Sequence, residues 1–236
     1  MNWNQLPDYA TLSTEAARRL LAAIRDNPAI VLGLPTGRTP IGMYDRVVEE
    51  CGQAYHCFQN VSTFNLDEYV GIPRTHPGSY FTFMTQHLFS QIDINPLKAH
   101  VPDGSAADLE AECSAYERAI TQAGGLALTF LGLGSNGHIA FNEPGTSFQS
   151  RTRVVTLSES TRAANAALFS DGHVPTQSLT MGIATILESR EIVLLASGTN
   201  KAAAIERLRS GVVSEDFPAS ALWQHPNVTV LVESIG

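Results

Sequence analysis

The sequence has 236 residues, of which 44% are hydrophobic and 16% charged, enough apolar material for the core of one large domain. This composition argues against a disordered chain, and the net charge of −8 argues against a nucleic-acid or anionic-membrane surface. An anionic ligand therefore needs a local cluster of donors. No apolar run approaches membrane-spanning length, no signal-peptide pattern is visible, and the three cysteines lack metal or redox spacing, so we expect a cytoplasmic protein with reduced thiols.

Predicted strands and helices alternate along the whole chain. In chain order they are helix 14–26 capped by Ser13, strand 29–34, helix 40–50, strand 61–66, helix 80–92, helix 106–123, strand 126–131, strand 153–157, helix 158–169, loop 170–177, helix 181–188, strand 191–197, helix 200–210, helix 218–225 and strand 228–232. This order predicts an α/β fold with a single doubly wound, mostly parallel Rossmann-like sheet and helices on both faces. No linker divides residues 1–236, which we predict to form one domain.

A loop rich in threonine and glycine joins the first predicted strand to the helix that follows it. Thr39 predicts the helix cap and Pro40 the first helical residue. Such a loop brings backbone N–H groups, hydroxyls and the positive end of a helix dipole together, which is the chemistry of an anion site. Ordinary connecting loops contain the same residue types, so the cation Arg38 at the tip is what favours a phosphate. The candidate binding residues are Thr36, Gly37, Arg38 and Thr39.

Two more charged positions follow predicted strands. Asp67 comes directly after strand 61–66, and Lys201 lies near the start of helix 200–210. Ligands of open α/β sheets bind outside the carboxyl ends of the strands, so both side chains are expected at the same edge as the threonine-rich loop. Taken alone, the pair Asp67-Glu68 is typical of a helix cap or solvated turn, and Lys201 of a surface lysine. Their convergence on one edge favours a site.

The stretch from Leu126 to Gly145 carries a dense set of polar side chains. A buried strand runs into a glycine-rich turn, and this turn delivers Asn136, His138, Asn142 and Glu143. So many polar and titratable side chains just past a buried strand predict a site rather than a simple connection.

The glycines of this turn also spell the G-x-G-x-x-G pattern of dinucleotide-binding proteins. They are Gly132, Gly134 and Gly137. That motif requires a helix to begin at the third glycine, so that its N-terminal N–H groups meet a pyrophosphate. Here Pro144-Gly145 leaves room for about two helical turns at most. The glycines are therefore interpreted as allowing another ligand to approach the backbone closely, and no nicotinamide cofactor is predicted.

Two longer runs resemble the signatures of the glucosamine-6-phosphate deaminase family. They are N-L-D-E-Y-V-G at 65–71 and N-G-H-I-A-F-N-E-P-G at 136–145. Shorter runs that match the same family lie at 33–40, 150–153, 197–201 and 217–222, so the resemblance covers essentially the whole chain. It implies a sugar-phosphate substrate and the conversion of glucosamine 6-phosphate and water to fructose 6-phosphate and ammonia, without a cofactor or a metal.

The resemblance also implies residue roles. Asp67 matches the base that moves a proton between C2 and C1 of the sugar, and His138 matches the group that opens the sugar ring. Asn136 and Glu143 match the residues that orient the imidazole and stabilise its charged form. The implied substrate-binding set is Thr36, Gly37, Arg38, Thr39, Gly132, Ala140 and Lys201.

The sequence departs from the family pattern at several positions. Longer members carry aspartate where Asn136 stands, so we expect a less basic His138. Ala167 aligns with the arginine that grips the phosphate, and Arg38 is our hypothesis for the replacement of that charge. Val155 replaces a lysine of the allosteric site, and the sequence ends soon after residue 232. We therefore expect no activation by N-acetylglucosamine 6-phosphate.

Three other functions remain as alternatives. Galactosamine-6-phosphate deaminases act on the C4 epimer, and only the run 67–70 favours the glucosamine branch. The 6-phosphogluconolactonases share a similar histidine turn, but Tyr69 and the run 141–143 differ from their motifs. A non-catalytic sugar-phosphate sensor is supported by the missing arginine alone, since binding needs no base at C2. The sequence leaves a homo-oligomer open.

Overall fold

The structure is a computed structural model that describes residues 1–51, 57–169 and 172–234. The strands are β1 Asn2–Leu6, β2 Val31–Leu34, β3 Ser62–Asn65, β4 Asp67–Tyr69, β5 Ala99–His100, β6 Leu128–Gly132, β7 Arg153–Thr156, β8 Gln177–Thr180, β9 Glu191–Ala196 and β10 Val228–Glu233. The α-helices are α1 Tyr9–Asp26, α2 Ile41–Cys51, α3 Tyr80–His87, α4 Leu109–Gln122, α5 Glu159–Asn165, α6 Ile183–Leu187 and α7 Ala202–Arg209. Short 3-10 turns lie at Phe89–Gln91, Pro96–Lys98, Ala166–Leu168, Thr199–Lys201 and Pro218–Gln224. The predicted loop 170–177 begins at Ser170 and Asp171, outside the described residues.

Seven strands form the main sheet in the order β1-β10-β9-β6-β2-β3-β5, and every pairing is parallel. Helices α1, α2 and α3 contribute to the apolar cluster on one face, and α4, α6 and α7 to the cluster on the other. The predicted α/β fold with a mostly parallel, doubly wound sheet is confirmed. Among the described residues, no helix combines the length and apolarity needed to cross a bilayer.

Strand β9 shows why the central strands were predictable from the sequence. Ile192 and Leu194 pack into one apolar cluster, whereas Val193 and Leu195 pack into the other. Successive side chains of a strand point to opposite faces, so a strand covered on both faces needs apolar residues at every position. The sequence signal of such a strand is a short unbroken apolar run.

The first helix begins earlier than predicted. Asp8, not Ser13, is its cap: the Asp8 carboxylate accepts the Thr11 N–H at 2.7 Å. Ser13 lies one turn inside α1, where its hydroxyl donates to the Tyr9 carbonyl oxygen at 2.8 Å. The prediction was wrong because serine caps a helix only from a non-helical position, and Asp8 already supplies the extended cap conformation.

The sequence did not predict a second, three-stranded antiparallel sheet, in the order β4-β8-β7. Residues 67–69 were taken as the end of a strand, but they form β4, which follows β3 directly and pairs with β8. Only Gln177 of strand β8 falls in the predicted loop 170–177, and residues 178–180 were assigned to no element. The strand was missed because its four residues show no long apolar alternation and its β4 partner is more than a hundred positions away in sequence. Strand β1 at the sheet edge was also missed. Helices α3 and α5 are shorter than predicted, and each passes into a 3-10 turn.

Candidate active site

Four segments with predicted site residues follow four adjacent strands of the main sheet. They are the loop 35–40 after β2, Asp67 after β3, the turn 133–145 after β6, and Lys201 after β9. The chain runs outward from β2 through β3 to β5 and then returns to β6 on the other side of β2. This reversal between β2 and β6 is the topological switch point at which open α/β sheets bind their ligands.

Three side chains of the turn after β6 form a continuous hydrogen-bond chain. The Asn136 amide nitrogen donates to Glu143 Oε2 at 2.7 Å. The Asn136 amide oxygen accepts the His138 backbone N–H at 3.1 Å and lies 2.7 Å from His138 Nδ1. Since an amide oxygen only accepts, Nδ1 must carry the ring proton. The neutral ring therefore presents Nε2 as its proton acceptor.

The backbone of this turn is built around the imidazole ring. A β-carbon at Gly134 would lie 2.4 Å from the ring of His138, so only glycine leaves room for it. Ala140 has φ +50°, and it is the one non-glycine among the described residues with a positive φ. Such a backbone stores on the order of 1–3 kcal/mol of strain. Beside the turn, a β-carbon at Gly132 would meet no atom within 4 Å, so the end of β6 is open to a ligand.

Buried Asn142 holds the turn in this shape. Its amide nitrogen donates to the carbonyl oxygens of Ile139 at 3.0 Å and Met181 at 2.9 Å. Its amide oxygen accepts from Arg153 Nη1 at 2.9 Å. The Arg153 guanidinium therefore has a partner within the protein, and the Arg151 guanidinium donates to the Glu188 carboxylate. The structure thus gives both arginines protein partners.

The electrostatic surroundings of His138 favour the neutral ring. Burial lowers the pKa of His138 most, the Glu143 carboxylate acts in the opposite direction, and the Lys201 charge lowers the pKa further. His138 Nδ1 and Glu143 Oε2 are 3.9 Å apart. This lowering is relative to an ordinary histidine and is caused mainly by burial, so the expected effect of Asn136 in place of aspartate stays a prediction.

The Asp67 carboxyl group is buried, with 6% of the residue exposed. Burial raises the pKa of Asp67 to about 8, the neighbouring Glu68 charge raises it as well, and the Thr36 hydroxyl opposes both effects. Oxygen Oδ1 has no hydrogen-bond partner within the described part of the chain. A buried polar atom normally has a partner, so this unsatisfied oxygen is available to a ligand.

Glu68 has a different task from its neighbour. Its carboxylate accepts from the Ser79 hydroxyl at 2.7 Å and from the backbone N–H groups of Tyr80 at 2.9 Å and Phe81 at 3.0 Å. These donors lie at the start of α3, where negative charge is stabilising. The helix-cap interpretation of the Asp67-Glu68 pair therefore holds for Glu68, while Asp67 remains unsatisfied.

Two tyrosines fix the threonine-rich loop after β2. The Tyr9 hydroxyl donates to the Thr39 carbonyl oxygen at 3.0 Å and accepts the Gly42 N–H at 2.8 Å. The Tyr44 hydroxyl donates to the Pro35 carbonyl oxygen at 2.5 Å. Sequence reasoning missed Tyr9, because nothing in the spacing links it to a loop thirty positions away. The loop is consequently preformed at the N-terminus of α2.

Two cations lie close together at this edge. Burial lowers the pKa of Lys201 most, and the charge of Arg38 lowers it further. Arg38 is exposed at the tip of the loop, where the adjoining Gly37 has φ +93°. Within the described part of the chain, neither cation pairs with a carboxylate. Ala167 lies exposed in the 3-10 turn after α5 and supplies no charge.

The chain matches known proteins along nearly its full length. A family model described as glucosamine-6-phosphate isomerases/6-phosphogluconolactonase matches residues 8–231. The glucosamine-6-phosphate deaminase of Lysinibacillus sphaericus is 49% identical, over 98% of this chain and 98% of its own. The chain belongs to the glucosamine-6-phosphate deaminase family. Glucosamine-6-phosphate deaminase 1 of Bacillus subtilis is another member, 50% identical over 95% of this chain and 93% of its own.

The comparison with solved structures agrees with this family assignment. A monomeric glucosamine-6-phosphate deaminase superposes with a TM-score of 0.96 at 48% identity, covering 99% of this chain and 97% of the other. The 6-phosphogluconolactonase of Thermotoga maritima superposes with a TM-score of 0.78 at only 22% identity. The second likeness concerns the fold alone. The resemblance to deaminases is therefore confirmed, while the individual site residues stay predictions.

Proposed function

We propose that this chain converts glucosamine 6-phosphate and water to fructose 6-phosphate and ammonia. The observation that carries the proposal is the placement of two different proton acceptors at one sheet edge: the unsatisfied Asp67 Oδ1 and the free Nε2 of His138. The unpaired cations Arg38 and Lys201 lie at the same edge, where a phosphate needs them. Relatives about half identical over nearly the whole chain carry this activity in their names.

The sugar ring must open first, and His138 suits this step. Its Nε2 takes the proton of the anomeric hydroxyl and returns it to the ring oxygen, so the imidazole must be neutral at the start. The lowered pKa of His138 keeps it neutral near pH 7. As the imidazolium forms, the carboxylate of Glu143 at 3.9 Å stabilises its positive charge.

The open-chain sugar is then isomerised by Asp67. The ionised carboxylate removes the proton at C2 while one proton of the substrate's ammonium group moves to the carbonyl oxygen at C1, which gives an enolamine. Asp67 then returns its proton to C1, which leaves a hydroxyl at C1 and an iminium group at C2. Water adds to that carbon and ammonia leaves, giving the ketone. A pKa raised to about 8 makes Asp67 a stronger base than an ordinary aspartate, and the ammonium group of the substrate favours its charged form.

The phosphate group lies far from the reacting carbons and serves as an anchor. We assign it to the Thr39 hydroxyl, the N-terminus of α2, and the charges of Arg38 and Lys201, whereas the Thr36 hydroxyl contacts the Asp67 carboxyl group beside the reacting carbons. Because the loop is preformed, the binding energy of the phosphate is available to hold C1 and C2 against Asp67.

Replacing Arg38 with alanine is expected to raise KM for glucosamine 6-phosphate about tenfold or more, the usual cost of one charge-assisted hydrogen bond. The value of kcat should change little, because the phosphate contact is the same in the ground state and the transition state. Steady-state kinetics of Arg38→Ala and Arg46→Ala measure this effect. Arg46 is a matched control on α2, where it pairs with Glu49 at 2.7 Å. An unchanged KM in Arg38→Ala would refute the phosphate role.

Ammonia release from glucosamine 6-phosphate, with galactosamine 6-phosphate in parallel, tests the proposed function. We expect rapid release from the glucosamine substrate and slow release from its C4 epimer. Release from galactosamine 6-phosphate alone would keep the chemistry of Asp67 and His138 but assign the enzyme to the other substrate. Absence of release from both would overturn the proposal and leave a sugar-phosphate sensor as the alternative.

We also propose a cytoplasmic location and a small-molecule sugar phosphate as the only ligand. Cys51, Cys57 and Cys113 form no disulfide within the described residues, which suits a reducing compartment. The solved relative is monomeric, whereas a homo-oligomer stays open for this chain. Size-exclusion chromatography with light scattering measures its oligomeric state.

A further inference from the structure

The Glu143 carboxylate has a second set of partners that the sequence did not indicate. While Oε2 accepts from Asn136, Oε1 accepts from the hydroxyl of Ser158 at 3.2 Å and from the hydroxyl of Thr161. Both hydroxyls belong to the start of α5, which lies fifteen or more positions along the chain. Within the described residues, no lysine or arginine forms an ion pair with Glu143, so these hydroxyls are the donors that hold Oε1.

The two hydroxyls are not equivalent. Ser158 is the cap of α5, where its oxygen accepts the Thr161 N–H at 3.2 Å, and its single proton has competing acceptors in Ser160 Oγ and Thr161 Oγ1, both at 3.0 Å. The Thr161 hydroxyl makes the shorter contact with Glu143 Oε1, and the residue is 6% exposed. Since a hydroxyl has only one proton to donate, Thr161 is the main donor to this carboxylate.

We infer that Thr161 is a positioning residue for ring opening: its hydroxyl holds Glu143 against Asn136 and thereby fixes His138 with Nε2 directed to the substrate. The inference rests on the proposed function. The contacts run without a gap from the Thr161 hydroxyl through the two oxygens of Glu143 and the amide of Asn136 to His138 Nδ1. Without the Thr161 hydroxyl, the Glu143 carboxylate can rotate and no longer fixes the orientation of the Asn136 amide.

The variant Thr161→Val keeps the volume of the side chain and removes the hydroxyl. We expect kcat for glucosamine 6-phosphate to fall about tenfold to a hundredfold, as for the loss of one hydrogen bond to a charged group, while KM stays within about twofold. Thr161→Ser restores the hydroxyl and should recover most of kcat. Ser160→Ala, on the same helical turn but exposed, is the matched control and should behave as the wild type.

The pH profile distinguishes positioning from a purely structural role. The charged groups that affect the His138 ring are Glu143, from the same turn, and Lys201, from the segment after β9. If Thr161→Val lets Glu143 move away, its contribution to the pKa of His138 weakens. The lower of the two steps in the acid limb of kcat, which belongs to His138, then moves to lower pH, while the step that belongs to Asp67 stays in place. A structural defect would reduce the folded fraction and leave that limb in place.

A double-mutant cycle with Glu143→Gln gives the decisive measurement. If Thr161 acts through Glu143, Thr161→Val should cost less than threefold in the Glu143→Gln background. An undiminished cost there, or full activity with an unmoved acid limb in the single variant, would overturn the inference. If Thr161→Val fails to fold, Thr161→Ala enters the same cycle. Wild-type enzyme is assayed first, because an inactive wild type would refute the proposed function and not the role of Thr161.

Discussion

Replacing Asp67 with asparagine is expected to abolish deamination and to make the folded protein more stable at alkaline pH. An amide cannot take the proton from C2, and the loss of a general base usually costs about 10²–10⁴-fold in rate. Substrate binding should remain, because the phosphate anchors lie on other segments. Ammonia release measures the loss of deamination, and titration calorimetry with glucosamine 6-phosphate measures the remaining substrate binding.

The stability effect follows from the pKa of Asp67. An aspartate with a pKa of 3.8 in the unfolded chain and about 8 in the folded one binds more protons when folded between these values. Its favourable contribution is therefore complete below pH 3.8 and is lost as the pH rises through about 8. The difference corresponds to on the order of 5 kcal/mol at most. Asparagine does not titrate, so Asp67→Asn does not lose this stabilisation as the pH rises. The difference in free energy of unfolding between the variant and the wild type should therefore grow from pH 6 to pH 9.

Thermal unfolding at pH 6 and pH 9 checks this prediction, with Glu68→Gln as the matched control. For Asp67→Asn we expect a melting temperature about 10 °C above the wild type at pH 9 and roughly half that difference at pH 6. Glu68→Gln should lower the melting temperature, because that carboxylate caps α3 with three hydrogen bonds. Equal melting curves for Asp67→Asn and the wild type at pH 9 would contradict a raised pKa at this position.

In the proposed mechanism, one physical effect, burial, prepares Asp67 and His138 for different steps. Burial raises the pKa of the carboxyl group and lowers the pKa of the imidazole, so both are held mainly in their neutral forms near pH 7. A neutral His138 is ready to open the ring at once. Asp67 becomes a base only when it ionises, which the cationic amino group of the substrate favours.

The strands next to the site could be predicted because buried strands have recognisably apolar sequences. Strands β2, β6 and β9 are covered on both faces and appear as short, mainly apolar runs, and parallel pairing then brings their carboxyl ends together. Strand β1 has the sequence N-W-N-Q-L and lies at the sheet edge, where one neighbour is enough and no apolar run is required. Its place could be learned only from the structure.

Some site residues could likewise be predicted from the sequence, and others could not. Residues next to strand ends, such as Asp67 and His138, could be proposed because strand ends mark the ligand edge. Tyr9 and Thr161 could not, since each acts through one hydroxyl on a helix far away in sequence. Thr161 reaches Glu143 because β7 leads into α5 and belongs to the antiparallel sheet, and that sheet could not be expected from the sequence.

Replacing His138 with glutamine is expected to reduce deamination of glucosamine 6-phosphate about 10²–10⁴-fold, because the amide cannot carry a proton from the anomeric hydroxyl to the ring oxygen. The defect should be confined to ring opening. A 4,5-dideoxy analogue of the substrate has no hydroxyl placed to close a sugar ring and therefore stays open. His138→Gln should release ammonia from this analogue at close to the wild-type rate.

The same analogue gives the opposite result with Asp67→Asn, which lacks the base for isomerisation and should be inactive on both compounds. The two variants together assign the two steps to the two residues. If His138→Gln were as slow on the open analogue as on the natural sugar, the imidazole would have to act after ring opening. The chain from Thr161 through Glu143 and Asn136 would then orient His138 for proton transfer during isomerisation, beside Asp67.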